Sequence, residues 1–322
     1  MNCPKMNIFC KGALRAPNLD KVLLSEVDDK GCWEGDLNTT IHRNTKVLTL
    51  AREDVAMMPQ HDIFRNLRDL TLEGYPDEND VFPSNFLLRG FPNLEWLVVR
   101  YSSFKEIFPE DSSGYGGGTP CGELTEMGKP FQALQNLKRL DLIRLCNLKR
   151  VWKDGSLMAE ILKQIKGLWV KECPSLSIVL PSPTSFQSLT HLGVVNCSGL
   201  VHMGTSSAVT SLVHLTWLYL RNCAAMEDVV TDDGNGVEDI SFPNLEELIL
   251  DGLPSLESFS FTNCAFRFPS LGRIVIMKCP KMNIFCKGAL KTPNLDEVFL
   301  SEEDNEGYWE GDLNTTIQTL SA

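Results

Sequence analysis

Four cysteines stand at a fixed place in the second half of the chain, and they are the first residues whose type and spacing could do chemistry. Each follows one apolar residue by three positions and precedes another by three; they are Cys173, Cys197, Cys223 and Cys279. Thiolates bind metals or exchange disulfides where two of them lie close together, as in a CxxC pair. No CxxC pair occurs among the eleven cysteines. We therefore interpret the four as small buried side chains of a repeating unit and predict no metal site.

Motifs for catalysis or cofactor binding are absent from the sequence. The nearest approach to a phosphate-binding loop runs from Gly122 to Pro130, with one residue too many and proline where a hydroxyl is needed. The triplet His42-Arg43-Asn44 lacks the aspartate of a kinase catalytic loop. The five histidines show no ligand spacing. We predict that the chain is not an enzyme, with no catalytic residue and no cofactor.

Aromatic residues and arginines alternate with apolar residues in several segments, and such an alternation could serve recognition. Trp217, Tyr219 and Arg221 alternate with two leucines, and alternate side chains of a strand share one face. Trp, Tyr and Arg are the residue types enriched at protein-binding hot spots. The same alternation predicts a protein-binding face that contains Trp96, Arg100, Arg139, Trp169, Lys171, His191, Trp217, Tyr219 and Arg221. Val98, Asp141, Val195, Glu247, Asp251 and Arg273 are predicted to point to the same side.

Two other interpretations of this face remain open. The tryptophans could cover their neighbours across the sheet and stabilise cross-strand pairs without any partner. Arginines interleaved with tryptophans could also bind single-stranded nucleic acid. The formal net charge of -12 and the absence of a continuous basic stripe argue against nucleic acid.

The elements that would position these residues are repeats. An apolar residue is followed by others three and five positions later, with leading positions at Leu137, Ile165, Leu189, Leu215, Leu245, Leu271 and Leu295. Their spacing of 24 to 30 residues is typical of leucine-rich repeats. Weaker units lead with Leu19, Thr45, Leu67 and Leu94, so residues 1–322 are predicted to form a single domain of about eleven repeats. The predicted fold is an α/β repeat, a leucine-rich-repeat solenoid shaped as an open horseshoe. Short parallel strands would line its concave face, and the convex side would be mostly irregular or short helical.

Two features interrupt or extend this period. Residues 111–130 are rich in glycine and should form a flexible insertion. Residues 1–41 recur as residues 277–317 with nine differences, which indicates a recent duplication. In the second copy, Val298 and Leu300 are predicted to point into the core and Phe299 outward.

The apolar segments and the cysteines of the sequence indicate the cellular compartment. The start of the sequence has no apolar signal segment, and no stretch of about 18 apolar residues occurs. Scattered cysteines in odd number suit a reducing compartment. We expect the cytoplasm or the nucleus, without membrane insertion.

Three segments together resemble the C-terminal leucine-rich repeats of plant nucleotide-binding leucine-rich-repeat disease-resistance proteins of the coiled-coil class. They are FPNLEELILDGLPSLESF, LTWLYLRNCAAMEDVV and WEGDLNTTIQ. The resemblance covers nearly the whole chain. It implies a sensor module of intracellular immunity that binds a pathogen effector or a guarded host protein and takes part in the defense response.

This chain departs from the family's full architecture, because it has neither the coiled-coil segment nor the nucleotide-binding domain. We expect a nucleotide-binding receptor domain, in cis or in trans, to supply the switch. The alternatives are the substrate-binding repeat region of a ubiquitin-ligase adaptor, which no F-box-like segment supports, and a non-functional receptor fragment.

Overall fold

The computed structural model describes residues 46–52, 55, 64, 66–77, 79–80, 82–84, 86–87, 91–107, 134–151, 163–180, 186–302 and 306–321. Ten strands form one parallel sheet in which neighbours follow the order of the repeats. These strands are β1 (Val47–Ala51), β2 (Asp69–Glu73), β3 (Trp96–Ser102), β4 (Arg139–Leu145), β5 (Gly167–Lys171), β7 (His191–Val195), β9 (Trp217–Arg221), β12 (Glu247–Asp251), β14 (Arg273–Met277) and β16 (Val298–Phe299). This arrangement confirms the predicted leucine-rich-repeat solenoid. The unit led by Leu19 and the insertion at 111–130 lie outside the described residues.

Shorter strands close the coils on the other sides of the solenoid. One three-stranded parallel sheet is formed by β6 (Ile178–Leu180), β8 (His202–Thr205) and β10 (Val230–Thr231). Another is formed by β11 (Asp239–Ser241), β13 (Ala265–Arg267) and β15 (Leu290–Lys291). A four-residue helix, α1 (Ser206–Val209), follows β8. The convex side that was predicted as irregular or short helical therefore also contains strands.

The apolar triplets form the core because each coil stacks its leucines on those of the next. Leu140, Leu168, Leu192 and Leu218 are paired in register across four neighbouring strands and are almost fully buried. Such a unit cannot bury its apolar side alone, so the stacking itself supplies the stability.

Phenylalanines fill the core of the C-terminal coils, away from the ten-stranded sheet. Phe259 lies at their centre, with its ring stacked on that of Phe285 at a centroid distance of 4.7 Å. The same ring makes edge contacts with Phe266 and Phe268, both at 5.7 Å. All four side chains are completely buried. Offset and edge-to-face pairs of this kind add to the stability gained from apolar burial.

Polar side chains join consecutive coils just before several strands of the ten-stranded sheet. The residue that precedes the leading apolar residue donates a hydrogen bond to a carbonyl of the previous coil. The donors are Asn136 to Pro92 at 3.1 Å, Asn244 to Val213 at 2.6 Å, Ser270 to Pro243 at 2.7 Å and Asn294 to Pro269 at 2.6 Å. This ladder explains the asparagine of the recurring FPNL segments, because its amide satisfies a carbonyl that the irregular backbone leaves open.

At or near the end of eight strands of the ten-stranded sheet, one residue has positive φ. That residue stands two positions after the last inward apolar residue: Gly74, Tyr101, Arg144, Glu172, Asn196, Asn222, Gly252 and Lys278. Positive φ is costly for residues with a Cβ atom, and asparagine tolerates it better than most. Part of this cost is offset by contacts between the side chains, such as the 3.1 Å hydrogen bond from Asn222 to Asn196.

Gly252→Ala is expected to lower the free energy of unfolding by about 1–3 kcal/mol, because φ is +65° at Gly252 and the new methyl group would collide with Oδ1 of Asn222. Urea titration measures the change. Gly74→Ala is the matched control, since φ is +77° there and nothing lies within 4 Å of the added Cβ. It should show the backbone cost alone. An equal loss in both variants would contradict a role for the Asn222 contact.

The last coil is closed by helix α2 (Leu313–Ser321), whose Leu313 and Ile317 are buried. The side chain of Asn314 in this helix forms hydrogen bonds with the backbone at the edge of the coil. Its Oδ1 accepts hydrogen bonds from the backbone N–H groups of Phe285 at 2.8 Å and Cys286 at 3.2 Å. Its Nδ2 donates to the carbonyl of Cys286 at 3.1 Å. The second copy of the duplicated WEGDLNTTI segment therefore packs on the coil that contains Phe285 and Cys286.

One prediction for β16 was wrong, because Leu300, expected in the core, is 39% exposed. Phe299 lies on the outward side as predicted, in register with Val275, but the chain covers it there and leaves it 8% exposed. The reason is local, because Val298 exchanges two backbone hydrogen bonds with Tyr308 at 2.8 and 2.9 Å. The strand ends after Phe299, and Leu300 turns out of the core.

Candidate functional site

The strand register brings the residues of the predicted binding face into three rows, which together we call the concave face. The first row contains Trp96, Arg139, Gly167, His191, Trp217, Glu247 and Arg273. The second contains Val98, Asp141, Trp169, Gly193, Tyr219, Ile249 and Val275. The third contains Arg100, Ile143, Lys171, Val195, Arg221, Asp251 and Met277.

Four side chains of β5, β7 and β9 form an aromatic cluster, defined as Trp169, His191, Trp217 and Tyr219. The rings of Trp217 and Tyr219 are stacked, with centroids 5.1 Å apart and an interplanar angle of 7°. Trp169 lies 5.4 Å from Trp217, and His191 lies 6.3 Å from it. His191 is exposed and the other three are partly exposed. The cluster thus offers a broad aromatic surface to solvent.

Gly193 makes this cluster possible. A Cβ atom on Gly193 would lie 2.6 Å from Cε3 of Trp169, closer than real Cβ contacts come. The indole ring therefore occupies the space above the glycine and reaches the rings of β9. Sequence reasoning did not select Gly193. The available signal was a glycine at an outward strand position, which often marks a close approach of another group.

Gly193→Ala is expected to displace Trp169 from the cluster, because the ring and the new methyl group cannot share that space. The near-ultraviolet circular dichroism of the tryptophans should change, while the far-ultraviolet spectrum stays the same. Gly167→Ala is the matched control on the neighbouring strand, where the nearest side-chain atom, Cγ of Arg139, would be 3.6 Å away. If both variants keep the wild-type near-ultraviolet spectrum, Gly193 does not position Trp169.

The arginines of the concave face are engaged by carboxylates of the same face. Nε and Nη2 of Arg139 donate to the two oxygens of Asp141 at 2.8 and 3.0 Å, and the guanidinium lies 4.5 Å from the ring of Trp96. Arg100 pairs with Glu73 at 2.8 Å. These contacts orient each guanidinium within the sheet surface, where it stacks on or borders an aromatic ring.

Arg221 is held by three groups. Its Nε forms an ion pair with Oδ2 of Asp251 at 2.9 Å, its Nη1 donates to the hydroxyl of Tyr219 at 2.9 Å, and Glu302 lies 3.9 Å from Nη1. Hydrogen bonding to Tyr219, together with the charge of Asp251, raises the pKa of Arg221. The side chain of Asp251 is 1% exposed. Arg221→Ala would therefore leave a buried carboxylate without its cation and destabilise the fold, so loss of binding in that variant could not be assigned to recognition.

Two acids predicted to point to this face are buried beneath it. Asp141 is 5% and Asp251 1% exposed, because Arg139 and Arg221 lie over them. Lys171 is exposed and lies 3.5 Å from Glu172. The basic residues predicted for the face are thus matched by neighbouring acids.

The C-terminal end of the concave face is covered by the chain itself. Ile249, Val275 and Phe299 form a separate buried apolar cluster. The guanidinium of Arg273 lies 4.5 Å from the ring of Phe299, and its Nη2 donates to the carbonyl of Glu302 at 2.8 Å. The aromatic cluster therefore remains the accessible aromatic area beside this covered end.

The repeated cysteines behave as predicted for packing residues. Their thiols reach a carbonyl of the preceding coil in three cases: Cys173 to Leu142 at 3.8 Å, Cys197 to Val170 at 3.9 Å and Cys279 to Leu250 at 3.6 Å. Burial raises the pKa of Cys279, and likewise that of Cys286, from 9.0 to about 11. The folded state favours the protonated thiols, so their contribution to stability is complete below pH 9 and is lost as the pH rises toward 11.

Among the described cysteines, Cys146 is exposed, and we expect it to react first with a maleimide at neutral pH. Cys197 and Cys223 are buried and should react only after unfolding in urea, because the reagent needs an accessible thiolate. Peptide mapping by mass spectrometry measures the labelling, and the urea-unfolded chain is the control. Equal rates for Cys146 and Cys197 in the folded chain would contradict this packing role.

Within the described ranges, no group of three or more His, Cys, Asp or Glu side chains could hold a metal ion. The helices that the structure describes are all too short or too polar to cross a membrane.

The stacked coils and their aromatic strand face define a leucine-rich-repeat solenoid of the kind that generally serves recognition. A family model described as plant disease resistance protein RPS2-like, leucine-rich repeats, matches residues 38–184 and 178–292. The chain belongs to this family, which confirms the resemblance found in the sequence.

Two curated relatives come from Arabidopsis thaliana. The probable disease resistance protein At1g61190 is 28% identical over 243 residues, which cover 68% of this chain and 24% of the relative. The probable disease resistance protein At5g47260 is 40% identical over 83 residues, which cover 21% of this chain and 8% of the relative. The matched part of this chain thus spans about a quarter or less of either relative.

Proposed function

We propose that this repeat region is the sensor module of a plant intracellular immune receptor. It binds a pathogen effector or a guarded host protein through the concave face and so takes part in the defense response. Its family and the disease-resistance names of its relatives support this role. The module works in the cytoplasm or nucleus, with a nucleotide-binding receptor domain in cis or in trans that converts binding into a signal.

The observation that carries the proposal is the accessible aromatic cluster. Trp169, Trp217 and Tyr219 are held by ring contacts of 5.1 to 6.3 Å and remain partly exposed. A partner that covers them gains a large apolar contact, and little side-chain entropy is lost because the rings are already ordered. Cross-strand packing alone would also give ordered rings, so the two interpretations differ in whether a partner covers the cluster.

Proximity labelling in plant cells tests the proposal. The chain is fused to a labelling enzyme, and the labelled proteins are compared between the wild type and a Trp169→Ala/Trp217→Ala variant whose folding is checked by circular dichroism. Tyr308→Ala is the matched control, because Tyr308 is 54% exposed and lies outside the concave face. The double variant should lose a specific set of proteins that the control retains. An unchanged set would contradict recognition through this face.

A further inference from the structure

Aromatic rings on the concave face recur beside a guanidinium that a carboxylate holds in place. The guanidinium of Arg139 lies 4.5 Å from the ring centroid of Trp96, and its Nε lies 2.8 Å from the carboxylate of Asp141. The guanidinium of Arg273 lies 4.5 Å from the ring centroid of Phe299, and its Nε lies 3.2 Å from the carboxylate of Glu247.

Tyr219 has a variant of this arrangement. The guanidinium of Arg221 donates to its hydroxyl, and Asp251 holds the guanidinium. Trp169 lies 5.9 Å from the guanidinium of Arg139.

Trp217 departs from this pattern. Among the described residues, no cation lies over its ring, and its ring neighbours are Trp169, Tyr219 and His191. Its register partner on β12 is Glu247, a carboxylate whose side chain is 34% exposed. Trp96 instead has Arg139 as the corresponding partner on β4. Trp217 therefore has an acidic register partner on the next strand but lacks the guanidinium that the other groups have.

We propose that the partner protein supplies this guanidinium, so that an arginine side chain of a basic segment stacks on Trp217 and donates to Glu247. This inference rests on the proposed function and specifies the chemistry of the partner. A guanidinium suits the position because it stacks on indole rings and donates to a carboxylate at the same time. A carboxylate accepts several hydrogen bonds, so Glu247 can keep its contact with Arg273.

Charge complementarity supports a basic partner. The chain has a formal net charge of -12, which attracts basic segments over distances of about 10 Å at moderate salt. The concave arginines are neutralised by Glu73, Asp141, Glu247 and Asp251, so they do not prevent the approach of a cation. An acidic or phosphorylated partner would be repelled by the net charge of the chain and by the partly exposed carboxylate of Glu247.

Two capped hexapeptides test the proposal, one with a single arginine among glycines and serines and the other with citrulline at that position. Citrulline has nearly the same shape but no charge. Binding to the whole chain is measured at 150 mM salt by NMR of the peptides, for the wild type, Trp217→Leu and Tyr308→Leu. Neither substitution alters the net charge, so nonspecific attraction to the acidic surface is the same in all three proteins.

The arginine peptide is expected to bind the wild type more tightly than the citrulline peptide, and this preference should fall about 3- to 5-fold in Trp217→Leu. Tyr308→Leu should keep the wild-type preference, because that exposed ring belongs to none of the three rows of the concave face. An equal preference in the wild type and Trp217→Leu would overturn the proposal, as would an equal fall in both variants. A dissociation constant above roughly 20 mM for the arginine peptide and the wild type would also overturn the proposal, because so weak a contact adds little to the binding of a partner.

The peptide result and the labelling result are independent. If the labelled proteins depend on the aromatic cluster but the peptides show no arginine preference, the partner inference is wrong and the proposed function stands. If the arginine preference exists but the labelled set does not depend on the cluster, the proposed function fails.

Discussion

Replacing Phe259 with alanine is expected to lower the free energy of unfolding by about 3–5 kcal/mol. The ring is completely buried and contacts four others, those of Phe242, Phe266, Phe268 and Phe285. Its loss removes apolar contacts from several coils at once and leaves a cavity that the stacked backbone cannot close. Because the stability of a solenoid comes from contacts between neighbouring coils, the C-terminal coils should unfold first.

Urea titration followed by circular dichroism measures this effect. Phe259→Leu should cost less than Phe259→Ala, since leucine fills part of the cavity. Tyr308→Ala, at a side chain that is 54% exposed, should change stability by no more than about 0.5 kcal/mol. A loss below about 1 kcal/mol for Phe259→Ala would show that the phenylalanine core does not hold these coils together.

Trp217→Ala is expected to weaken binding to a partner identified by labelling by about 30-fold or more, which corresponds to about 2 kcal/mol. Trp217 contacts every other member of the aromatic cluster. Its removal takes away the largest ring of β9 and leaves Trp169 and Tyr219 without their common neighbour. Isothermal titration calorimetry with the purified partner measures the dissociation constant.

The folding of Trp217→Ala is checked by circular dichroism, and the variant is expected to fold because the side chain is only partly buried. Tyr308→Ala should bind the same partner with wild-type affinity. If the dissociation constant changes by less than 3-fold in Trp217→Ala, the residues that contribute most of the binding free energy lie elsewhere on the molecule.

The fold could be predicted from the sequence because its determinants are local and repeated. The apolar residues at Leu137, Leu140 and Leu142 encode one strand and its buried side, and the same pattern in the next units encodes its neighbours. The cysteine positions followed from the same period. Since the register of stacked coils is fixed by these apolar residues, the outward rows of the concave face were predictable as well.

The interactions among outward side chains were not predictable, because they join residues of different coils through space. The pairing of Arg221 with Asp251 depends on the registered positions of β9 and β12, 30 residues apart along the chain. The position of Trp169 depends on the missing side chain of Gly193 on the next strand. The apolar pattern of β16 predicted that Leu300 is buried, but Val298 forms backbone hydrogen bonds with Tyr308 and Leu300 is exposed.

Recognition through the concave face is the central claim, and hydroxyl-radical footprinting of the chain with and without its labelled partner tests it most directly. Tryptophan and tyrosine side chains are oxidised readily when solvent reaches them, and mass spectrometry locates the oxidised residues. We predict that the partner protects Trp169, Trp217 and Tyr219 from oxidation while Tyr308 stays as reactive as in the free chain. Protection of Tyr308 or of the 111–130 segment, with the aromatic cluster still oxidised at its free rate, would contradict the account.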